Sequence, residues 1–143
     1  AASLERPVKL MIALEMIGYY DSTPGSQDYP YPAMSWLYPD RGDFIAVVGR
    51  IQDINAVRQV KAALLSSRDL SVYSMNAPGF IPGIDFSDHL NYWQHDIPAV
   101  MITDTAFYRN KQYHLPGDTA DRLNYQKMAQ VVDGVINLLY NSK

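Results

Sequence analysis

The chain contains no cysteine and only two glutamates, Glu5 and Glu15. The first absence excludes disulfides and thiolate metal sites. The second leaves nearly all carboxylate chemistry to aspartate. There is no basic run and no interleaving of basic with aromatic residues, and the formal net charge is −3. Nucleic acid is therefore not an expected partner. No apolar stretch approaches the roughly 20 residues that a membrane-spanning helix needs, so no membrane partner is expected. The first residues do not form a signal peptide, which leaves room for one removed ahead of Ala1. Internal repeats and low-complexity segments are absent as well. What remains is one domain's worth of chain: 143 residues, 48% hydrophobic and 19% charged. That is long enough for a sizeable core and too apolar for a disordered chain.

All three histidines, His89, His95 and His114, lie between residues 85 and 128. At the centre of this stretch, Ala99 to Ile102 is a short apolar run that reads as a buried strand. Before it stands Ser87-Asp88-His89, with Ser87 placed to cap a helix through Leu90 and Trp93. After it comes a polar loop carrying Asp104, Tyr108, Arg109, His114 and Asp118. In open α/β sheets, ligands gather outside the carboxyl ends of the strands. The loop after this strand is the first candidate site.

Upstream, Leu10–Leu14 is a continuous apolar run, the pattern of a strand covered on both faces, and Glu15 follows it directly. Residues 21–43 hold Pro24, Pro30, Pro32 and Pro39 among Tyr29, Tyr31, Trp36 and Tyr38. This composition predicts an ordered irregular loop, because the aromatics need a surface to pack on. Arg41-Gly42-Asp43 reads as a turn rather than an adhesion motif. Phe44–Val48 is a second buried strand. Asp53 precedes a helix with Ile54, Val57, Val60 and Leu64 on one face. Ser71–Met75 is a third strand, and residues 76–83 form a Pro/Gly-rich loop. From Tyr125 to Leu139, apolar residues recur at helical spacing and predict a closing helix over one sheet face. Strands alternating with helices make this an α/β protein with a largely parallel sheet and helices on both faces.

Each candidate residue has two readings. Glu15, at the end of a buried strand, is either a paired or solvated carboxylate or a metal ligand. His114 is either a surface or hydrogen-bonding imidazole or a ligand, with Asp118 or a backbone carbonyl available as acceptor for its second nitrogen. Asp88 and His89 serve the start of a helix, where a carboxylate suits the dipole. His95, beside Asp96, suits the end of that helix. Tyr108 and Arg109 are available to line a substrate cleft, Tyr108 toward an oxyanion and Arg109 toward a carboxylate. The other reading of Arg109 is a structural pairing with Asp104 or Asp121.

The segments LEMIGYYDSTPGSQDYP and SDHLNYWQHDIPAVMITDTAFYRNKQYHLPGDTADRLNYQKMAQVVDGV also carry a family likeness. Their motifs, LEMIGY, SDH, IPA, DTAFYRN, YH and DT in that order from about Leu10 to Leu139, resemble the C-terminal part of the zinc-dependent aminopeptidases of peptidase family M28. The resemblance implies a zinc-exopeptidase-like α/β fold, incomplete in this chain. It implies hydrolysis of N-terminal peptide bonds in a peptide substrate, two zinc ions and a secreted or periplasmic setting. By its pattern, Glu15 and His114 are ligands of different metals. Asp88, His89, Tyr108, Arg109 and Asp118 bind substrate or support ligands.

The family also uses a His-x-Asp pair and a Glu-Glu pair upstream, and this sequence contains neither. No catalytic residue is therefore assigned. The chain is expected to be the C-terminal part of a single longer domain, inactive alone and holding zinc weakly or not at all. A natural short protein that lost its activity is the other origin. An incomplete sheet should leave apolar surface or an unpaired edge, open to self-association or to the missing N-terminal segment. A single-zinc glutaminyl cyclase-like acyltransferase and a non-catalytic binding domain are the alternative functions.

Overall fold

The computed structural model describes residues 7–67, 69–78 and 87–141. Four strands, β1 (Met11–Glu15), β2 (Ile45–Gly49), β3 (Val72–Asn76) and β4 (Ala99–Thr103), form one sheet in the order β1-β4-β2-β3. Each strand ends one residue beyond the run that predicts it. β1 is parallel to β4 and β2 is parallel to β3, while β2 and β4 are antiparallel. The mostly parallel sheet thus consists of two parallel pairs running in opposite directions. The carboxyl ends of β1 and β4 consequently lie beside the amino end of β2, with Glu15 opposite Thr103 and Thr103 opposite Ala46.

Strand alternation sorts the core into two faces. Ile45, Val47, Val100 and Ile102 point to one, and Ala46, Val48, Ala99 and Met101 to the other. The first face is covered by α1 (Ile54–Leu64) and α3 (Tyr125–Asn141). α1 buries Val57, Val60 and Leu64, as its spacing predicts. Each of these contributes about 2 kcal/mol by leaving water. The two helices meet at Gly134, where an added Cβ would stand 2.9 Å from the Leu64 Cα, so only glycine permits this approach. Asp53 occupies the N-cap position of α1 without capping it. Its carboxylate instead accepts from Arg50 Nε at 2.8 Å and Nη2 at 3.2 Å.

The second face carries α2 (His89–Trp93), where Trp93 is buried and its indole N–H donates to the Ala99 carbonyl at 2.9 Å. Ser87 is not the cap of this helix. Asp88 holds the N-cap position, no side chain caps the helix, and the Ser87 hydroxyl turns toward Glu15. A five-residue helix covers only part of a sheet face, and the Pro-rich loop adds more. Tyr38 lies 5.9 Å from Tyr29 and 6.2 Å from Tyr73, and Phe44 lies 5.1 Å from Tyr73, so the loop's aromatics do pack on the sheet. Gly42 is buried and bridges Asp21, and Asp43 pairs with Lys127, which gives the Arg-Gly-Asp triplet a structural role. Among the described residues, no helix is long and apolar enough to cross a membrane.

Candidate active site at the carboxyl ends of β1 and β4

Glu15 is the last residue of β1 and is half-buried. One of its oxygens, Oε2, accepts a hydrogen bond from Ser87 Oγ at 3.1 Å. The chain then breaks sharply: Met16 has a φ of 53°, a left-handed conformation that a side chain adopts at a cost. Asp104, the residue after β4, holds this break in place. Its N–H donates to the Met16 carbonyl at 2.6 Å, and its Oδ2 accepts from Gly18 N at 3.0 Å and Tyr19 N at 2.7 Å. Asp104 is buried, and its pKa is pushed up to about 6 because desolvation outweighs the hydrogen bonds from Tyr19, Ala106 and Gly18 and the nearby Arg109 charge.

The loop after β4 is strained at two consecutive residues, Thr105 with φ 75° and Ala106 with φ 50°. A β-branched residue at positive φ is an outlier that its surroundings must over-determine, at a cost of about 1–3 kcal/mol. They do so here. Ala106 N donates to Asp104 Oδ1 at 3.1 Å, Thr105 N to Thr103 Oγ1 at 3.0 Å, and Gln27 Nε2 to Thr105 Oγ1 at 2.9 Å. Gln27, buried in the Pro-rich loop, joins that loop to this one.

Arg109 is the second joint. It is 2% exposed, with Nε donating to Gln27 Oε1 at 2.9 Å and Nη1 to the Tyr19 and Phe44 carbonyls at 3.0 and 2.9 Å. Its guanidinium carbon lies 4.6 Å from the Phe44 ring centroid and 5.7 Å from that of Tyr20, so aromatic faces take up part of the charge. Burial pulls its pKa down, opposed chiefly by Asp104. The structure thus places Arg109 beneath the cleft, where it holds loops together rather than facing a substrate carboxylate. The pairing that joins it to Asp104 is long-range attraction, not a salt bridge.

The remaining candidates divide in the same way. Glu15, Tyr108 and Tyr113 line one groove whose floor is the second sheet face, at Ala46, Val48 and Met101. His114 is exposed, has a φ of 58°, and stacks on Tyr113 with ring centroids 3.9 Å apart and planes inclined by 16°. Asp118 is engaged with buried Asn110, whose Nδ2 donates to Asp118 Oδ1 at 2.8 Å. Asp88 is exposed beside Ser87. His89 is fully buried, its ring edge-on to Trp93 at 4.4 Å. His95 is exposed beyond the end of α2. Sequence reasoning missed Gln27, for which a polar residue in a Pro/Gly-rich loop gives no signal. Tyr113 as the support of His114 does leave a signal, the adjacent Tyr-His pair.

Glu15 and Tyr113 line one groove, and His114 stacks on that tyrosine. Among the described residues, however, no group of three or more His, Asp or Glu side chains could hold a metal ion. A carboxylate at the end of the edge strand β1, strained loops after two parallel strands and a tyrosine-lined apolar groove are gathered at one end of this α/β domain. The chain belongs to peptidase family M28, matched over residues 2–139.

It is 96% identical over all 143 residues to the Uncharacterized protein YfbL of Escherichia coli (strain K12) and covers 44% of that protein. The chain therefore spans less than half the length of this curated relative. Among solved structures, it resembles the LapA aminopeptidase of Legionella pneumophila with a TM-score of 0.64 and 21% identity, covering 92% of this chain and 30% of that one. LapB from the same organism gives a TM-score of 0.65 at 17% identity, covering 94% of this chain and 31% of that one. These two likenesses establish the fold.

Proposed function

We propose that this chain is the C-terminal part of the catalytic domain of a zinc-dependent aminopeptidase, which removes N-terminal residues from peptides. Glu15 and His114 each contribute one ligand to a different metal, and the other ligands and the general base come from an upstream part of the longer protein. Zinc, when bound in such a site, polarises the scissile carbonyl and lowers the pKa of a bound water. This chain's residues do preparatory work. Ser87 orients the Glu15 carboxylate, Tyr113 orients the His114 ring, and the tyrosine-lined groove takes an apolar part of the peptide. Asp88, Tyr108 and Asp118 belong to its surroundings.

The observation that carries this reading is that Glu15 and Tyr113 line one groove, with His114 stacked on that tyrosine, within a chain of the M28 family. Glu5 and Glu15 are the only glutamates, and with Glu15 taken as a ligand this reading draws the general base from the upstream part of the longer protein. The test compares the isolated chain with the full-length polypeptide on aminoacyl chromogenic substrates with added zinc. Turnover only by the longer protein, lost on Glu15→Ala or His114→Ala, supports the reading. Substantial turnover by the isolated chain overturns it. A longer protein that cyclises N-terminal glutamine but releases no amino acid favours the acyltransferase.

A further inference from the structure

Tyr19, four residues after Glu15, is held by three separate groups. Its N–H donates to Asp104 Oδ2 at 2.7 Å, its carbonyl accepts from Arg109 Nη1 at 3.0 Å, and its hydroxyl accepts from Arg122 Nη2 at 3.0 Å. The first two bonds fix the backbone of the turn that follows β1. The third reaches outward to another loop. The guanidinium carbon of Arg122 also lies 4.7 Å from the Tyr19 ring centroid, which adds the attraction between a cation and an aromatic face.

The other arm of the same guanidinium enters the loop that carries His114. Arg122 Nη1 donates to Asn110 Oδ1 at 2.9 Å and to the Gly117 carbonyl at 3.2 Å. Asn110 is buried and organises this loop from inside. Its Oδ1 also accepts from Gln112 N at 3.0 Å, and its Nδ2 donates to Asp118. Positions 110 and 117 bracket His114, so the guanidinium grips the loop on both sides of the imidazole. Among the described residues, no other side chain hydrogen-bonds both to residues 110–118 and to residues 16–20.

We propose that Arg122 is a positioning residue, which sets the place of His114 relative to Glu15 by clamping the loop 110–118 to Tyr19. The inference rests on the reading of Glu15 and His114 as ligands and adds the part that holds their two loops together. Asp104 and Arg109 already fix the turn after Glu15, so that turn is the anchor and the His114 loop is the piece held. A guanidinium presents its donors in a rigid planar fork, so three acceptors on two loops keep one relative geometry. Lysine, a point charge on a flexible stem, does not reproduce that fork. Functional side chains need such support, because a displacement of about 1 Å already leaves a site too loose.

The test uses the full-length polypeptide with Arg122→Ala, Arg122→Lys or Tyr19→Phe. The His114 ring resonances, which the stacked Tyr113 ring shifts, are read in metal-free protein by nuclear magnetic resonance. Turnover of aminoacyl chromogenic substrates is read with zinc. Arg122→Ala should move the His114 resonances toward those of a free imidazole and lower kcat about tenfold, with KM changed by less than about twofold. Arg122→Lys should behave like Arg122→Ala. Guanidinium ion at non-denaturing concentration should return both readouts of Arg122→Ala toward those of the unsubstituted protein, and sodium chloride at equal ionic strength should not. Tyr19→Phe keeps the ring under the guanidinium and removes one acceptor, so it should lower kcat about threefold, and it decides the matter if Arg122→Ala does not fold. Unchanged His114 resonances in the folded variants overturn the inference. So does a loss in Arg122→Ala that guanidinium leaves in place, because Arg122 then serves the fold in general. Displaced resonances in a protein without peptidase activity uphold the clamp and remove the proposed function. Turnover lost on His114→Ala but indifferent to Arg122 does the reverse.

Discussion

Ser87 donates its hydroxyl to Glu15 across 72 positions of sequence, at 3.1 Å. This contact joins the Ser-Asp-His segment to the end of β1 and makes Ser87 a positioning residue for the carboxylate. Partners of this kind are typically worth 10–100-fold in metal affinity or activity. In the full-length protein, Ser87→Ala should lower kcat/KM and zinc affinity together by about tenfold. The far-ultraviolet circular dichroism should stay unchanged, because no helix is capped by Ser87. Loss of helix signal with unchanged zinc affinity would return Ser87 to a capping role.

Zinc should separate the short chain from the long one. If Glu15 and His114 serve different metals, as proposed, the isolated chain supplies each with one ligand where a zinc site has about three. Chelator should therefore leave its Tm unchanged. In the full-length protein, chelator should abolish turnover, and His114→Ala should lower it by at least about a hundredfold. A chelator-sensitive Tm in the isolated chain would mean that it holds a metal centre of its own.

Arg109 and Gly42 are coupled by contact. A Cβ on Gly42 would fall 2.5 Å from Arg109 Cδ and 2.6 Å from its Nε. Gly42→Ala should cost about 2 kcal/mol by displacing the guanidinium. Arg109→Ala should cost about 4 kcal/mol by stranding the Tyr19 and Phe44 carbonyls. Urea denaturation of the double variant should show a loss smaller than the sum, by about 1 kcal/mol or more, because one substitution removes the clash of the other. Additive losses would mean that Gly42 acts independently of Arg109.

Asp104 makes stability depend on pH in an uncommon direction. Its folded pKa of about 6 lies above the usual carboxylate value, so the folded chain binds the extra proton between about pH 4 and 6. The contribution is fully present below the unfolded pKa and is lost as pH rises through the folded one, about 3 kcal/mol at most. Asp104→Asn should remove this slope, while Asp21, held low by its bonds from Thr23, keeps the opposite one. The check is the difference in unfolding free energy between the two proteins from pH 4 to 7. Parallel curves would sink the assignment.

Much of the fold follows from local pattern. The apolar runs ending at Leu14, Val48 and Ile102 are long enough only for strands, and Val57, Val60 and Leu64 repeat at helical spacing, so hydrophobic periodicity alone places β1, β2, β4 and α1. The candidate ligands were legible for a different reason: Glu15 ends an apolar run, and His114 stands in a motif shared with a family. Tertiary structure decided the rest. Nothing local says that β2 and β3 run against β1 and β4, or that β1 and β3 are the outer two of the four described strands, because strand order depends on contacts between distant segments. Ser87 has the composition of a helix cap and Arg109 that of a cleft residue. Each takes another role because its strongest partner lies 72 or more positions away: Glu15 for Ser87, Gln27 and Tyr19 for Arg109. A hydrogen bond is chosen by distance in space, which no spacing along the chain encodes.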